Sequence, residues 1–197
     1  MSEQNFSIER DLKELQTMAA ALVPYVYEDE LYGRVGMNVP SLTIGAVLLR
    51  LRRLRALASR LTPEQLTILE QAEAQTESVQ REWTSHFEKK MVREVEGRLR
   101  DILTYLREAK DSASMGDSGY LLEAVRRTIV QELLNAMPEA TRRSELAKVA
   151  EVDSGLRRSL YDSDFIWKKE LEPVYPKETY WWLYKRPHQP SGKTGTQ

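Results

Sequence analysis

The stretch from residue 41 to residue 66, SLTIGAVLLRLRRLRALASRLTPEQL, decides the fold that the sequence predicts. Apolar residues recur through it at three- and four-residue steps up to Leu61, which is typical of one face of an α-helix. A new helix start follows at once. Thr62 can cap, Pro63 suits the first helical position, and Gln65 completes a capping box. Because almost nothing separates the two helices, the sequence predicts an antiparallel helical hairpin.

The residues before this stretch predict a further helix and a loop. Ser7 is a good N-cap for a first helix, whose apolar positions continue to Leu22, and Pro24 follows its predicted end. Residues 25–40 are rich in tyrosine, glycine and proline, so we expect a loop with a short extended piece. Ser41 is the predicted cap of the second helix, which we expect to run to about residue 61.

The residues after this stretch predict a long third helix. Its apolar period runs from residue 63 to about residue 110 without a proline, with a bend at the polar residues 75–80 or at Gly97. Residues 111–119 predict a polar loop, and residues 120–136 predict a fourth helix.

A fifth helix is expected from Pro138 onward, with a break at residues 153–155. The predicted fold class is all-α, with about five helices and the hairpin of the second and third at its centre. Residues 1–186 form one predicted domain, which includes an irregular aromatic C-terminal arm at residues 161–186 packed on the bundle. Residues 187–197 are polar and predict a disordered tail.

The aromatic arm holds half of all the aromatic residues in the chain. Pro173 and Pro176 exclude one regular helix. Adjacent Trp181 and Trp182 cannot both face the same way, so one of them is free for a partner if the other covers the core. We expect the arm to be mainly a structural clasp, since large exposed apolar patches are rare. The alternative is a docking arm, with Trp167, Trp181, Trp182 and Tyr184 as candidate partner-docking residues.

Charge is local rather than global, because the formal net charge is only −1. Residues 31–63 contain six arginines and no acid, whereas residues 64–80 contain four acids and no base. The structural interpretation pairs them across the hairpin, with Arg53 near Glu70 and Arg50 near Glu73. The functional interpretation is a basic face for phosphates or an acidic partner. That face would consist of five side chains: Arg50, Arg52, Arg53, Arg55 and Arg60.

The composition and the short motifs exclude several chemistries. There is no cysteine, so disulfides and thiolate ligands are excluded. His86 shares a helix face with Glu82, but a bundle metal site needs more ligands than these. The segments 116–119 and 191–194 resemble a serine-nucleophile loop and the end of a phosphate-binding loop, but they lack the required context. No cofactor and no metal are predicted.

These observations favour a non-enzymatic helical interaction or scaffold protein, with self-association along the long helix as one form of it. A nucleic-acid-associated regulator that uses the arginine face is the first alternative. A small-ligand binder or enzyme with a pocket near Trp83, His86 and Trp167, between the helices and the arm, is the second. No apolar run reaches the roughly 18 residues of a membrane span. We therefore expect a cytoplasmic protein with no membrane partner.

Overall fold

The computed structural model describes residues 3–111 and 117–188, and these are mostly helical, which confirms the predicted all-α class. The helices are α1 (Ile8–Ala20), α2 (Leu22–Tyr27), α3 (Ile44–Ala56), α4 (Pro63–Glu82), α5 (Thr84–Asp111), α6 (Asp117–Ala136) and α7 (Glu139–Ser159). Short 3-10 helices lie at Glu3–Asn5, Ala58–Arg60, Lys169–Val174 and Trp181–Tyr184, and the strands are β1 (Leu160–Asp162) and β2 (Lys185–Pro187).

The N-terminal helix begins where the sequence predicted and ends earlier. The Ser7 side chain accepts a hydrogen bond from the Arg10 amide at 3.2 Å. The helix ends at Ala20, and a separate α2 begins at Leu22, so Pro24 lies inside a helix rather than after one. A proline is tolerated there because the first amides of a helix have no intrahelical acceptor.

Helix α3 is shorter than predicted at both ends. Its cap is Thr43 rather than Ser41, because Leu42 is held in an antiparallel bridge with Gly33 by hydrogen bonds of 2.9 and 2.8 Å. The helix ends at Ala56, and a 3-10 turn leads to the next helix. The capping box that starts α4 is confirmed, with both reciprocal hydrogen bonds present.

The predicted long third helix is two helices. The chain leaves helical geometry at Trp83 (φ −117°, ψ 35°), which lies between the two predicted bend positions. After the break, α5 runs through the centre of the molecule and packs against α2, α3, α4, α6 and α7. The break lets α4 bury its apolar side mainly on α1 while α5 buries its own side under α6 and α7. Helices α3 and α4 touch, but α1 packs against both.

The predicted charge pairs of the hairpin are wrong. Arg55 forms an ion pair with Glu73 across α3 and α4. The predicted pairs of Arg53 with Glu70 and of Arg50 with Glu73 do not form, because both arginines are buried on the other sides of α3.

Helix α7 runs without the predicted break. Gly155 is helical, and a Cβ at this position would meet Leu106 of α5 at 2.7 Å. This glycine therefore serves the close approach of two helices rather than a turn. Helices α5 and α6 extend into the predicted loop 111–119, and its central residues 112–116 lie outside the described ranges.

The aromatic arm begins with β1 directly after α7, and its last segment, β2, returns to pair with β1. Strands β1 and β2 pair antiparallel, with Leu160 opposite Pro187 and Asp162 opposite Lys185. Pro187 therefore belongs to the arm and not to the predicted tail, of which residues 189–197 lie outside the described ranges.

Candidate functional site

The aromatic arm is packed into the core along most of its length. Trp167, Trp182 and Tyr184 are buried, with 4 %, 1 % and 9 % of their surface exposed. Trp181 is half-buried, and the Arg157 guanidinium lies 3.9 Å from the centre of its ring. Three of the four candidate docking residues are therefore buried against the rest of the chain. A partner would have to displace the arm to reach them.

Polar contacts fix the arm on α6. Tyr120 donates a hydrogen bond to the Trp182 carbonyl at 2.6 Å, and the Trp182 indole donates to Thr128 at 2.9 Å. The Arg127 guanidinium lies 4.0 Å from the Trp182 ring centre and is itself held by Asp153. The tryptophan thus has its area buried and its indole N–H satisfied, as a clasp requires.

The arginines of α3 do not form one face. Arg53 is buried, donates to the Tyr175 hydroxyl at 2.9 Å, and pairs with Asp11 at 3.4 Å and with Glu3. Its guanidinium lies 5.2 Å from the Trp167 ring centre. This one side chain therefore joins α1, the N-terminal turn and the aromatic arm.

Arg52 joins α3 to the arm and to α6. It donates to the Val174 carbonyl at 3.0 Å, lies 3.5 Å from Glu132, and faces the Tyr180 ring at 4.8 Å. Tyr180 donates to Glu132 at 2.7 Å. Burial raises the pKa of Glu132 above its usual value, and burial followed by the hydrogen bond to Glu132 raises the pKa of Tyr180.

The remaining candidate basic residues are also paired. Arg50 is buried and bonds to Glu14, Arg55 pairs with Glu73, and Arg60 lies 3.2 Å from Glu170. The segment that the sequence offered as a phosphate-binding face is therefore used for internal contacts.

The residues of the predicted ligand pocket are divided between two clusters. Trp83 and His86 lie with Tyr27, at ring-centre distances of 4.3 Å from Tyr27 to Trp83 and 5.7 Å from Tyr27 to His86. Trp167 instead contacts Phe165 and Tyr175 in the arm. Within residues 3–111 and 117–188 there is also no group of three or more side chains that could hold a metal ion.

A charged cleft of about 380 Å³ lies between α1, α3, α5 and α6. Arg98, which lines the cleft, donates to the fully buried Glu94 at 2.8 Å, and Glu94 also accepts from the Gly45 amide at 2.9 Å. A Cβ at position 45 would meet Ile129 at 2.2 Å, so only glycine lets α3 approach α6 and Glu94 here. Glu14 lies in the same cleft, where its Oε2 accepts from Arg50 at 3.0 Å.

The loop after α2 carries the most exposed charge cluster of the N-terminal half. We call residues 28–34 the acidic loop. Its first three residues, Glu28, Asp29 and Glu30, are exposed, and none of them has an ion pair with the described part of the chain. Together with Arg34 they line an open cavity of about 710 Å³.

The acidic loop is held in place from beneath. Tyr25 donates from its hydroxyl to the Leu31 carbonyl at 2.8 Å. Lys90 donates to the Glu30 carbonyl, and its ammonium lies 4.0 Å from the centre of the Tyr25 ring. Burial, followed by the charge of Arg93, lowers the pKa of Lys90.

Exposed large hydrophobic residues concentrate around this loop. Of the seven such residues in the described part of the chain, four lie between residues 23 and 37. They are Val23, Tyr27, Tyr32 and Met37, and Tyr27 also stacks on Trp83. We call these four side chains together with the acidic loop the acidic–aromatic surface.

Sequence reasoning missed the cleft. A signal for the cleft was present. Glu14 lies between Leu12, Leu15 and Met18 on the buried stripe of α1, and Glu94 adjoins Val95 on that of α5. A carboxylate within an apolar stripe is unusual and indicates a buried partner.

Comparison of the chain with protein-family models, with curated proteins and with solved structures gave no match. None of the helices in the described ranges has the length and apolarity that crossing a membrane requires.

Proposed function

We propose that this chain is a non-enzymatic interaction protein whose acidic–aromatic surface docks a basic segment of another protein. One observation carries the proposal. Exposed large apolar side chains concentrate at residues 23–37, beside carboxylates that have no ion pair within residues 3–111 and 117–188. Aromatic residues are enriched where proteins bind each other, so the exposed Tyr27 and Tyr32 beside these carboxylates support a docking surface.

The charges of the surface favour a basic partner. Glu28, Asp29 and Glu30 are adjacent and exposed, so their fields add in the solvent in front of the loop. The cation beneath them, Lys90, donates to a backbone carbonyl rather than to a carboxylate. The carboxylates are thus available to steer a positively charged segment toward the rings.

The backbone contacts of the loop support a preformed surface. The Tyr25 and Lys90 hydrogen bonds and the bridge between Gly33 and Leu42 hold residues 30, 31 and 33 of the loop. A surface that is already ordered loses less conformational entropy on binding, so a short partner segment suffices.

The alternative functions have less support from the contacts. The nucleic-acid hypothesis rested on the α3 arginines, and these form ion pairs or hydrogen bonds inside the molecule. Self-association along the long helix is also weakened, because α5 buries its apolar side against α6 and α7. We keep the cytoplasm as the proposed location because the chain has no cysteine.

A photo-crosslinking amino acid in place of Tyr27 tests the proposal directly. In cells that contain the tagged protein, it should capture one predominant protein with a basic segment. The captured protein is then purified, and its affinity is measured by calorimetry at two salt concentrations. We expect binding that weakens as salt rises, because rim charges contribute through long-range attraction.

Two double variants test whether the affinity depends on the charges of the acidic loop or only on the net charge of the protein. Glu28→Gln with Asp29→Asn should weaken binding about tenfold, a value on the scale of a few rim charges. Glu70→Gln with Glu77→Gln removes the same charge from exposed positions of α4 and should leave the affinity unchanged. Equal losses in both variants, or no crosslink from position 27, would refute the docking surface. A crosslink to a second copy of the chain would show that this surface binds the protein itself rather than another protein.

A further inference from the structure

Glu14 is a buried carboxylate that is only half satisfied. It is 4 % exposed, and its Oε2 accepts from Nε and Nη2 of Arg50, at 3.0 and 2.5 Å. Its Oε1 is buried and has no hydrogen-bond donor within the described part of the chain. A buried carboxylate oxygen without a donor is costly, and most such oxygens in native proteins have a partner.

Arg10 covers this oxygen without bonding to it. The Arg10 Nε lies 4.0 Å from Glu14 Oε1, which is beyond hydrogen-bond range, and about a third of the Arg10 side chain is exposed (34 %). Arg10 is one turn before Glu14 on α1, so it can swing toward solvent without disturbing the backbone. A weakly held guanidinium thus lies in front of a carboxylate oxygen that has no hydrogen-bond donor in the described part of the chain.

The cleft in front of Glu14 has an apolar wall. Its volume is about 380 Å³, which lies within the range of small-molecule sites. Leu122, Val125 and Ile129 of α6 line one side, and Leu122 is 53 % exposed at the rim. Three carboxylates and three guanidinium groups line the cleft: Glu3, Asp11, Glu14, Arg10, Arg50 and Arg98. Arg53 pairs with Glu3 and Asp11, so Oε1 of Glu14 is the position that a further hydrogen-bond donor would reach.

We infer that this cleft binds a small organic guanidinium cation that carries an apolar chain. The guanidinium displaces Arg10 and donates to Glu14 Oε1, and the chain lies on the α6 wall. A guanidinium fits because Arg10 already places one beside the oxygen, and because this group loses less hydration energy on burial than an ammonium does. The site adjoins the acidic–aromatic surface, since Tyr32 lines the cleft and also belongs to that surface. The inference rests on Glu14 and Arg10 and does not depend on the proposed function.

Titration with n-butylguanidinium, followed by NMR of the backbone amides, tests this site. We expect saturable shifts at residues 10–14 and 122–129. The matched control is n-butylurea, which has nearly the same shape and no charge. It should bind about tenfold more weakly, because hydrogen bonds to a charged partner are the stronger ones. Equal affinities for the two compounds would overturn the inference.

Three variants assign the binding to Glu14 and Arg10. Arg10→Met removes the competing cation and should strengthen n-butylguanidinium binding about two- to fivefold, the scale of a weak partly exposed ion pair. Lys13→Met removes the same charge from an exposed position of α1 and should leave the affinity unchanged. Glu14→Gln keeps the shape and should abolish the preference for the cation over the urea.

The Arg10 and Lys13 variants also decide the matter if Glu14→Gln does not fold, since Arg50 would lose its counter-ion there. If Arg10→Met binds no better than Lys13→Met, the inference is wrong. A capped tripeptide with arginine between two glycines identifies the source of the cation. Tighter binding of this peptide than of n-butylguanidinium points to an arginine side chain of another protein, and the reverse order points to a free small molecule.

Discussion

The aromatic arm and the acidic–aromatic surface have similar amino-acid compositions, but the aromatic residues of the first are mostly buried and those of the second are exposed. Both combine tyrosines with carboxylates. In the arm, Tyr180 and Trp182 are each 1 % exposed, whereas Tyr27 at the end of α2 and Tyr32 in the acidic loop are 53 % and 44 % exposed. Local composition therefore does not decide whether such a segment joins the core.

The difference lies in what the neighbouring helices offer. The arm meets Arg52 and Arg53 of α3 and Thr128 of α6, which satisfy its hydroxyl, carbonyl and indole groups. The loop after α2 meets the Lys90 ammonium, and of Tyr25, Tyr27 and Tyr32 in and beside the loop, Tyr25 alone is buried. Burial of aromatic side chains with polar atoms is favoured where those atoms find partners. Tyr175, Tyr180, Trp182 and Tyr184 find them, whereas the Trp167 indole N–H is buried without a hydrogen-bond acceptor in the described part of the chain.

Replacement of Trp182 by alanine should produce the largest loss of stability. The change leaves a large cavity on α6 and removes the hydrogen bond to Thr128, so we expect a loss of about 3–5 kcal/mol in the free energy of unfolding. Urea denaturation followed by circular dichroism measures it. Trp181→Ala is the matched control, and its expected loss is about 1 kcal/mol because this ring is only half-buried. Equal losses would mean that the arm is not anchored through Trp182.

Replacement of Arg53 by alanine should have an effect nearly as large. It leaves Asp11 buried without its cation and Tyr175 without its donor, and breaking such a buried pair typically costs about 3–5 kcal/mol. The same urea experiment on Arg55→Ala should show a loss of at most about 1 kcal/mol, since that pair is exposed. A small effect at Arg53 would mean that the α3 arginines do not stabilise the arm, and that partners on α3 do not explain why the arm is buried and the loop after α2 is not.

Glu132 should give the arm a measurable pH dependence. Burial raises its folded pKa above the unfolded value of about 4.5, so the folded state binds the proton more tightly. The resulting stability is complete below the unfolded pKa and is lost as the pH rises through the folded pKa. Relative to Glu132→Gln, the wild type should therefore lose stability as the pH rises from about 4.5 through the folded pKa of Glu132. Glu70→Gln, at an exposed position, should show no such trend.

The smallest effects are expected at residues 23–37. Met37 is fully exposed (101 %), so Met37→Ala should change the free energy of unfolding by less than about 0.5 kcal/mol. Thermal denaturation measures this change. If Met37→Ala is instead strongly destabilising, the side chain belongs to the core and the surface contrast with the arm disappears.

Local signals in the sequence predicted the helical parts well. The Ser7 cap, the capping box at Thr62 and the helices around them follow from residues within a few positions of each other. The break at Trp83 could not be found in this way, because no proline or glycine lies there and the period of apolar residues continues through it. The break follows from two helices that bury their apolar sides against different neighbours.

The candidate sites were less accessible to sequence reasoning than the helices. The arginines of α3 were visible as a cluster, but their partners lie on α1, α4, α6 and the arm. The hydrogen bonds from Arg52 to Val174 and from Arg53 to Tyr175 each join residues that are 122 positions apart in the sequence. Helical period alone does not specify which of several carboxylates an arginine will meet.

The sequence by itself determined that this protein is helical, where α1, α4 and α7 begin, and that half of its aromatic residues collect in a C-terminal arm. These properties depend on backbone hydrogen bonds and on spacing along one chain segment. Only the tertiary structure decided that the arm is buried, that the α3 arginines are used inside the molecule, and that Glu14 keeps one oxygen without a donor. Burial and pairing depend on which surfaces come together, and charged or aromatic side chains lie in the core or in water according to the partners they find there.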